Sequence, residues 1–502
     1  MPRLGQRRYL PRRMQKAASL NLTARESYLE RLPLAIAGGV GAERLVLTSN
    51  PLMANSSAVY IVSAVRTPIG KFGGMLTDFT QPDLGTIVVR AALERAFGLP
   101  LPPERTPGEF DYQPLDGGTE GEWLARGDGR EILRPPRRTQ NDERDLRWHV
   151  DEVIFGNARP AGVGPNPARQ IAWRAGLGDD VPGFTVNMAC ASGLRTVVLG
   201  WQEILTGGAQ IIVAGGAESM SRVPYLVEGR WGFRLGNQEL IDGMYRDGFL
   251  CPISKMIMGE TAEALAEQYK IPRGEQDAFA LESHRRAAQA AAACHFKEEI
   301  VPITIVDKKN NTTVLLKDEH VRPDVTMEAL AKLSPVFSKT GTITAGNSSG
   351  ITDGAAAVVL ASEAKVRELN LKPIARIVDA TIAAVDPRVM GIGPVPAIRK
   401  LTERTGTKLA DYDAIELNEA FAAQVLACDR DLHFDRARLN PNGGAIALGH
   451  PIACTGSRIL ITLIHEIRRP NGPDAPPRIG RRGLATLCVS GGLGVAVEIE
   501  TV

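Results

Sequence analysis

Cys190-Ala-Ser-Gly193 opens a stretch of helical spacing through Leu205, followed by an apolar strand at Ala209–Ala214 and the pair Gly215-Gly216. Far along the chain, Ala453-Cys-Thr-Gly456 opens a second such stretch through Ile467, followed by a strand at Gly483–Cys488 and the turn Ser490-Gly-Gly492. The two stretches share one pattern: small-residue turn, helix, strand, Gly-Gly turn. Self-similarity of this kind reads as duplicated halves that place two helix N-termini near each other. Apolar strands alternate with amphipathic helices through the remainder, the signature of an α/β fold.

Working outward, Ala58-Val-Tyr-Ile-Val-Ser is β-branched and aromatic, so the folded part is expected to begin there with a strand. A helix is expected over Gln81–Phe97 and a strand over Glu152–Gly156. Between them, residues 100–148 carry Pro100, Pro102, Pro103, Pro107, Pro114, Pro135 and Pro136 among many charges, and read as a surface insertion. Arg469–Arg482, rich in Pro, Gly and Arg, reads as a loop between a helix and a strand. The first 56 residues are different again, with Arg3, Arg7, Arg8, Arg12, Arg13, Lys16 and Arg25 before any acidic residue. Three readings stand: a mitochondrial-type presequence, a disordered extension, or translation from an upstream start with Met53 as the true one. The latter two are favoured, and with them a cytoplasmic location; the presequence would make it mitochondrial.

A chain of 502 residues exceeds one ordinary core, so two or three domains are expected. Lys and Arg total 59 against 57 Asp and Glu, a net charge of +2 that gives no reason to expect a nucleic-acid partner or an anionic membrane surface. No apolar run reaches the ~20 residues that cross a bilayer. The 6 cysteines are scattered without a Cys-x-x-Cys pair, which argues against a zinc cluster or a disulfide scaffold and suits a reducing compartment. No metal is expected.

Four segments carry candidate chemistry, each with a bland reading beside the sharp one. In Asn187-Met-Ala-Cys190-Ala-Ser-Gly193, a cysteine at a helix start meets unsatisfied N–H groups that favour thiolate; the bland reading is a buried structural thiol. In Asn442-Gly-Gly-Ala-Ile-Ala-Leu-Gly-His450-Pro, glycines allow close backbone approach, and His450 could activate a thiol or donate to an oxyanion, or simply bond within its loop. In Cys488-Val-Ser-Gly-Gly-Leu-Gly494, a second thiol ends a strand before a tight turn, or is a core residue. In Glu416-Leu-Asn418-Glu-Ala-Phe-Ala-Ala, Asn418 or Glu419 could face a site or cap the following helix.

Together, NMACASG, GGAESMS, TAGNSSGITDGAAA, LNEAFAAQ, NPNGGAIALGHP and TLCVSGGLG, in this order from about residue 58 to the C-terminus, closely resemble the thiolase family. The resemblance implies two βαβαβαββ-type halves in a layered αβαβα arrangement: residues 57–219, interrupted by 100–148 and completed by 351–373, and residues 374–502. Residues 220–350 would form an inserted loop domain that holds coenzyme A. It further implies acyl transfer between coenzyme A thioesters, with coenzyme A as substrate and no covalently bound cofactor, in a homodimer or homotetramer. Cys190 would carry the acyl group, His450 would activate it, and Cys488 would move the α-proton. Asn418 would hold a water that forms one oxyanion hole with His450. The backbone N–H groups of Cys190 and Ser490 would form the other, with Ser490 standing where the family usually has glycine. Ser349 matches a serine that bonds pantetheine, and Met258 a methionine lining the acyl pocket.

Biosynthetic members commonly have histidine just before that methionine; Ile257 stands here. This departure tilts the expectation from strict acetoacetyl-coenzyme A synthesis toward broader 3-ketoacyl substrates. Ala453-Cys454 replaces the usual Gly-Ala, which should tighten packing at the helix start. Ketoacyl synthases and hydroxymethylglutaryl-type condensing enzymes, the rivals within the superfamily, lack a reactive cysteine where Cys488 stands. The alternative from another class is an inactive thiolase-like protein that binds acyl-coenzyme A or lipid. Retention of Cys190, Asn418, His450 and Cys488 argues against it.

Overall fold

A computed structural model describes residues 58–98, 104–105, 150–306, 309–472 and 475–502, together with the backbone of 123–125 and 131–133. The expectations for residues 1–56, and for most of 100–148, lie outside the described residues. Within that second segment, Trp123–Ala125 pairs antiparallel with Glu131–Leu133.

Among the described residues ten strands build the main sheet, nine of them in one path: β1 (Val59–Arg66), β2 (Glu152–Gly156), β3 (Gly183–Val186), β4 (Ile211–Ser219), β5 (Thr352–Ser362), β6 (Ala375–Ala384), β7 (Ala414–Leu417), β8 (Arg482–Val489) and β9 (Leu493–Thr501), while the short strand Gly70–Lys71 pairs with the start of β5 off that path. The helices that position the site are α1 (Gln81–Phe97), α2 (Pro167–Arg174), α3 (Ser192–Leu205), α4 (Met258–Gln268), α5 (Arg273–Ala292), α6 (Pro394–Thr405), α7 (Ala422–Leu432) and α8 (Ile452–Arg468). The first half therefore runs β1-α1-β2-α2-β3-α3-β4-β5, with residues 220–351 inserted before its last strand.

The sheet order is β7-β8-β9-β6-β1-β5-β4-β2-β3. It consists of two half-sheets joined between β1 and β6 by only the pairs Tyr60–Arg376 and Ile61–Ala375. The halves match strand for strand. β1, β5, β4 and β2 in one correspond to β6, β9, β8 and β7 in the other, antiparallel twice and then parallel. The counterpart of β3 shrinks to a single parallel bridge between Ile415 and Leu439.

Three layers of helix enclose the two half-sheets. Residues of α1 and α2 (Leu84, Val88, Ile171) pack with one outer face around Val65, Phe155 and Val213. Residues of α6 and α7 (Val395, Ile398, Leu401, Val425) pack with the other around Ile415 and Ala496. Between them, α3 and α8 share one core with strands of both halves, including Val197, Ile204, Ile459, Leu460 and Ile464. A helix packed on every side should be apolar all round, and α8 buries its residues from Ile452 to Ile464 without a break. Fully burying one such leucine or isoleucine is worth about 1.5–3 kcal/mol, so this stripe is a main source of cohesion between the halves.

The small-residue repeat has a steric cause. A Cβ on Gly193 would lie 2.5 Å from the Ala453 carbonyl oxygen, and one on Gly456 would lie 2.5 Å from the Leu194 nitrogen. The first turns of α3 and α8 thus cross backbone to backbone. The Gly-Gly pairs are not equivalent, however. Gly491 and Gly492 form the expected turn, with φ of 89° and 85°. Gly215 and Gly216 lie inside β4 rather than in a turn. Their missing side chains admit the Ala356 carbonyl, 2.2 Å from a Cβ on Gly215, and the Ala453 carbonyl, 2.0 Å from a Cβ on Gly216.

Candidate active site

The α3–α8 crossing brings the ends of both halves to one cavity of about 370 Å³. Cys190, His450, Cys488, Ser490, Ser349 and Met258 all line it.

Cys190 sits in a single 3₁₀ turn, Ala189–Ala191, that leads into α3. Ala189 holds a left-handed φ of 45°, a conformation that costs a non-glycine residue about 1 kcal/mol or more. Neighbouring side chains secure this turn. Asn187 Oδ1 accepts from the Ala189 N–H (3.1 Å), while the Ser192 hydroxyl accepts from the Met188 N–H (2.9 Å) and donates to the Ala189 carbonyl (2.7 Å). The polar residues of NMACASG are therefore supports for the cysteine, a role their sequence pattern did not disclose.

His450 Nε2 lies 3.3 Å from Cys190 Sγ. On the far side of the ring, Nδ1 lies 2.6 Å from Thr455 Oγ1, which is also 3.1 Å from the Pro451 carbonyl. A threonine hydroxyl has one proton and two lone pairs. Donating to Pro451, it accepts from Nδ1–H and leaves Nε2 basic toward the thiol. Rotated to donate to Nδ1, it leaves Nε2–H as a donor. Thr455 was not among the candidate residues; its signal is a hydroxyl one helical turn inside α8, close after the His-Pro pair.

Burial, reinforced by the charges of Arg458 and Arg159, pushes the His450 imidazole down to about 3, so the ring is neutral at physiological pH. Burial also raises the Cys190 thiol, against the opposing pull of Arg159 and of the Ser490 and Cys190 backbone N–H groups. The expected helix-start thiolate is thus not the resting form, because desolvation outweighs the local donors. Cys488, near the end of β8 and 1% exposed, is pushed well above its ordinary value by burial and by Cys190 beside it. The resting trio is thiol, imidazole, thiol.

Ser490 follows β8 and donates its backbone N–H toward Cys190. The positive φ angles fall on Gly491 and Gly492, so serine is unstrained at position 490. Ser349 reaches the cavity because its N–H is held by the Ala420 carbonyl (3.0 Å). Met258 begins α4, preceded by Ile257, and both face the cavity.

Asn418 follows β7 and is fully buried, and its side-chain amide has no hydrogen-bond partner among the described residues. It is not among the lining residues; Ala420, two positions on, is. Neither Asn418 nor Glu419 caps α7, whose N-cap is Phe421 without a side-chain bond. Glu419 instead accepts from Ser283 Oγ (2.6 Å), Asn440 Nδ2 (2.8 Å) and the Ile446 N–H (3.2 Å), tying the glycine-rich segment to α5. Glu218, in GGAESMS, has a comparable structural role. It accepts from Asn157 Nδ2 and from the N–H groups of Ala158, Arg159 and Ala453, joining the β2 loop to the start of α8. Among the described residues no group of His, Cys, Asp or Glu is placed to hold a metal, and no helix is long and apolar enough to cross a membrane.

Residues 59–104 and 146–364 match the model of the thiolase N-terminal domain, and residues 371–501 that of the thiolase C-terminal domain. The chain belongs to the thiolase family. The break in the first match falls within the proline-rich segment. Curated relatives named acetyl-CoA acetyltransferase include one from Escherichia coli, 45% identical over 442 residues (88% of this chain, 98% of the relative). Another, from Cupriavidus necator, is 43% identical over 443 residues (88% and 99%). Among solved structures, human mitochondrial 3-ketoacyl-CoA thiolase superposes with a TM-score of 0.75 at 38% identity, covering 89% of this chain and 99% of that one. The same human thiolase in complex with CoA gives a TM-score of 0.74 at 38% identity, covering 89% and 98%. As a family member the chain is an acyltransferase that uses coenzyme A thioesters.

Proposed function

We propose that the protein transfers acyl groups between coenzyme A thioesters through an acyl-enzyme on Cys190, interconverting 3-ketoacyl-CoA plus CoA with acyl-CoA plus acetyl-CoA. The observation that carries this reading is the Cys190–His450 contact of 3.3 Å in a cavity shared with Cys488.

With both groups neutral at rest, the Cys190 proton passes to His450 Nε2 as sulfur attacks a carbonyl: the 3-keto carbonyl at Cβ of a 3-ketoacyl-CoA in thiolysis, or the thioester carbonyl of an acyl-CoA, which then expels CoA, in condensation. The tetrahedral oxyanion meets the backbone N–H groups of Cys190 and Ser490, and one such donor is typically worth about 3–4 kcal/mol. In thiolysis, collapse of this adduct breaks the Cα–Cβ bond of the 3-ketoacyl chain, and Cys488 protonates the departing enolate. A CoA thiol then takes the acyl group from Cys190. In condensation, Cys488 as thiolate removes the α-proton of acetyl-CoA, and the enolate carbon attacks the Cys190 thioester. His450, protonated or in its Nε2–H tautomer, faces the enolate oxygen with a water held by Asn418. Splitting the transfer in two gives ping-pong kinetics.

A 3-ketoacyl range broader than acetoacetyl is favoured because Ile257 stands beside Met258 and the wall formed by Met258, Phe337, Met390 and Phe421 is apolar. Strict acetoacetyl-CoA formation is the second reading, favoured by the names of the bacterial relatives. We further assign coenzyme A binding to the segment 220–350 together with Ser349, homo-oligomeric assembly, and a cytoplasmic location. Thiolysis rates across a 3-ketoacyl-CoA length series test the reading. Turnover of several lengths is expected, and a sharp maximum at acetoacetyl-CoA would favour the second reading.

A further inference from the structure

Behind the cavity wall lies a thiol that the reaction above does not use. Cys251 is buried and does not line the cavity, although Phe249 before it and Ile257 and Met258 after it do. The chain between them is a closed loop. The Cys251 N–H donates to the Met256 carbonyl (2.9 Å), the Lys255 N–H donates to the Cys251 carbonyl (2.9 Å), and Leu250 bridges to Ile257 at the base.

Four donors converge on the Cys251 sulfur. The Ser254 N–H reaches it at 3.5 Å, the Ser254 hydroxyl and the Ile253 N–H come from the same loop, and the Gly491 N–H comes from the turn after β8. A neutral thiol is a weak acceptor with a proton of its own to place, so this many donors around one sulfur suit an anion. Burial pushes the Cys251 thiol up, yet these donors outweigh it and hold the thiol below its ordinary value. At Cys190, Cys428, Cys454 and Cys488 burial prevails, and all four are raised.

The Gly491 contact couples two parts of the site. Gly491 follows Ser490, whose own N–H points toward Cys190, so holding the Gly491 N–H fixes the peptide on the other side of Ser490. We propose that Cys251 is an anionic anchor, a positioning residue that aims the Ser490 oxyanion donor at Cys190 by holding the Ser490–Gly491 peptide against the loop 251–256. This inference rests on the thiolase reading and adds a residue to that site.

The test measures thiolysis of acetoacetyl-CoA and 3-oxohexanoyl-CoA by the full chain and by its Cys251→Ala, Cys251→Ser and Cys251→Asp variants, with urea unfolding of each. Loss of one oxyanion donor lowers kcat about 100- to 1,000-fold, and a donor left in place but poorly aimed loses part of that. Cys251→Ala is therefore expected to lower kcat about tenfold or more with KM little changed. Cys251→Asp, an anionic acceptor of similar size, is expected to recover most of the loss, and the neutral Cys251→Ser clearly less. A thiolate absorbs in the ultraviolet where a thiol does not, so the spectrum of the unmodified protein at pH 8 minus that of Cys251→Ala is expected to show a thiolate band. An unchanged kcat in Cys251→Ala overturns the anchor, as does absence of the band or equal recovery by serine and aspartate. A fall in kcat that follows a lowered unfolding midpoint and is not recovered by aspartate assigns Cys251 to packing and also overturns it. Cleavage of neither ester by the unmodified protein, with no acylation of Cys190 by mass spectrometry, overturns the thiolase reading itself, while the band still reports on the anchor.

Discussion

Replacing Thr455 by valine keeps the shape of a fully buried side chain but removes both its proton and its lone pairs. His450 Nδ1, 2.6 Å away, then has no partner, whichever tautomer the ring adopts. Leaving one buried donor or acceptor unsatisfied costs about 1–3 kcal/mol. A cost of that size, falling on the arrangement that aims Nε2 at Cys190, corresponds to a loss of roughly 5- to 150-fold in rate, at 1.36 kcal/mol per factor of ten. The assay is steady-state thiolysis with KM and kcat resolved, beside the alkylation rate of Cys190 by iodoacetamide. We expect kcat and alkylation to fall together with KM little changed, and Thr455→Ser to recover most of both. A Thr455→Val protein with kcat within about twofold of the unmodified enzyme would refute the reasoning, because the ring would then be held by packing alone.

Cys488→Ser should still be acylated at Cys190 by acetyl-CoA, seen as a mass increment on the intact protein, while condensation and thiolysis drop by several orders of magnitude; normal turnover would remove Cys488 from the proton transfer. Because burial raises the Cys190 thiol and keeps His450 neutral down to about 3, lowering the pH leaves the thiol protonated, and raising it increases thiolate. Iodoacetamide alkylation of Cys190 should therefore climb steadily from pH 6 to 9, and a plateau through that range would instead reveal a standing thiolate–imidazolium pair. Gly456→Ala places a methyl 2.5 Å from the Leu194 backbone nitrogen, which has no flexible side chain to yield. We expect it to lower unfolding free energy by about 1–3 kcal/mol or more in urea titration; an unchanged midpoint would mean that α3 and α8 separate without cost.

Periodicity and composition carried most of the architecture. The stretches 190–216 and 453–492 disclosed a duplication, and the helices and strands around them lie where 3.6- and 2-residue patterns placed them. Such patterns are local, since each residue's neighbours along the chain reveal which face it buries. Gly215-Gly216 was misread for the same reason. In isolation two glycines signal a turn, yet here they serve a strand that the carbonyls of Ala356 and Ala453 approach at close range.

The site divides along the same line. Cys190, His450, Cys488 and Ser349 were legible because each lies in a motif with its own small-residue or glycine punctuation, and the structure brings them to one cavity. Thr455 behind His450, Ser192 beneath the cysteine turn, and Glu218 under the start of α8 were not legible, since a hydroxyl or carboxylate acquires its partner only when distant segments meet. Protonation was likewise decided by tertiary structure. A helix start alone favours thiolate, whereas burial between two half-sheets raises Cys190 and lowers His450. The sequence by itself thus determined the kind of fold and which residues could react. Only the folded chain decided their protonation and their supports, because desolvation and distance belong to the packed interior and to no single stretch of chain.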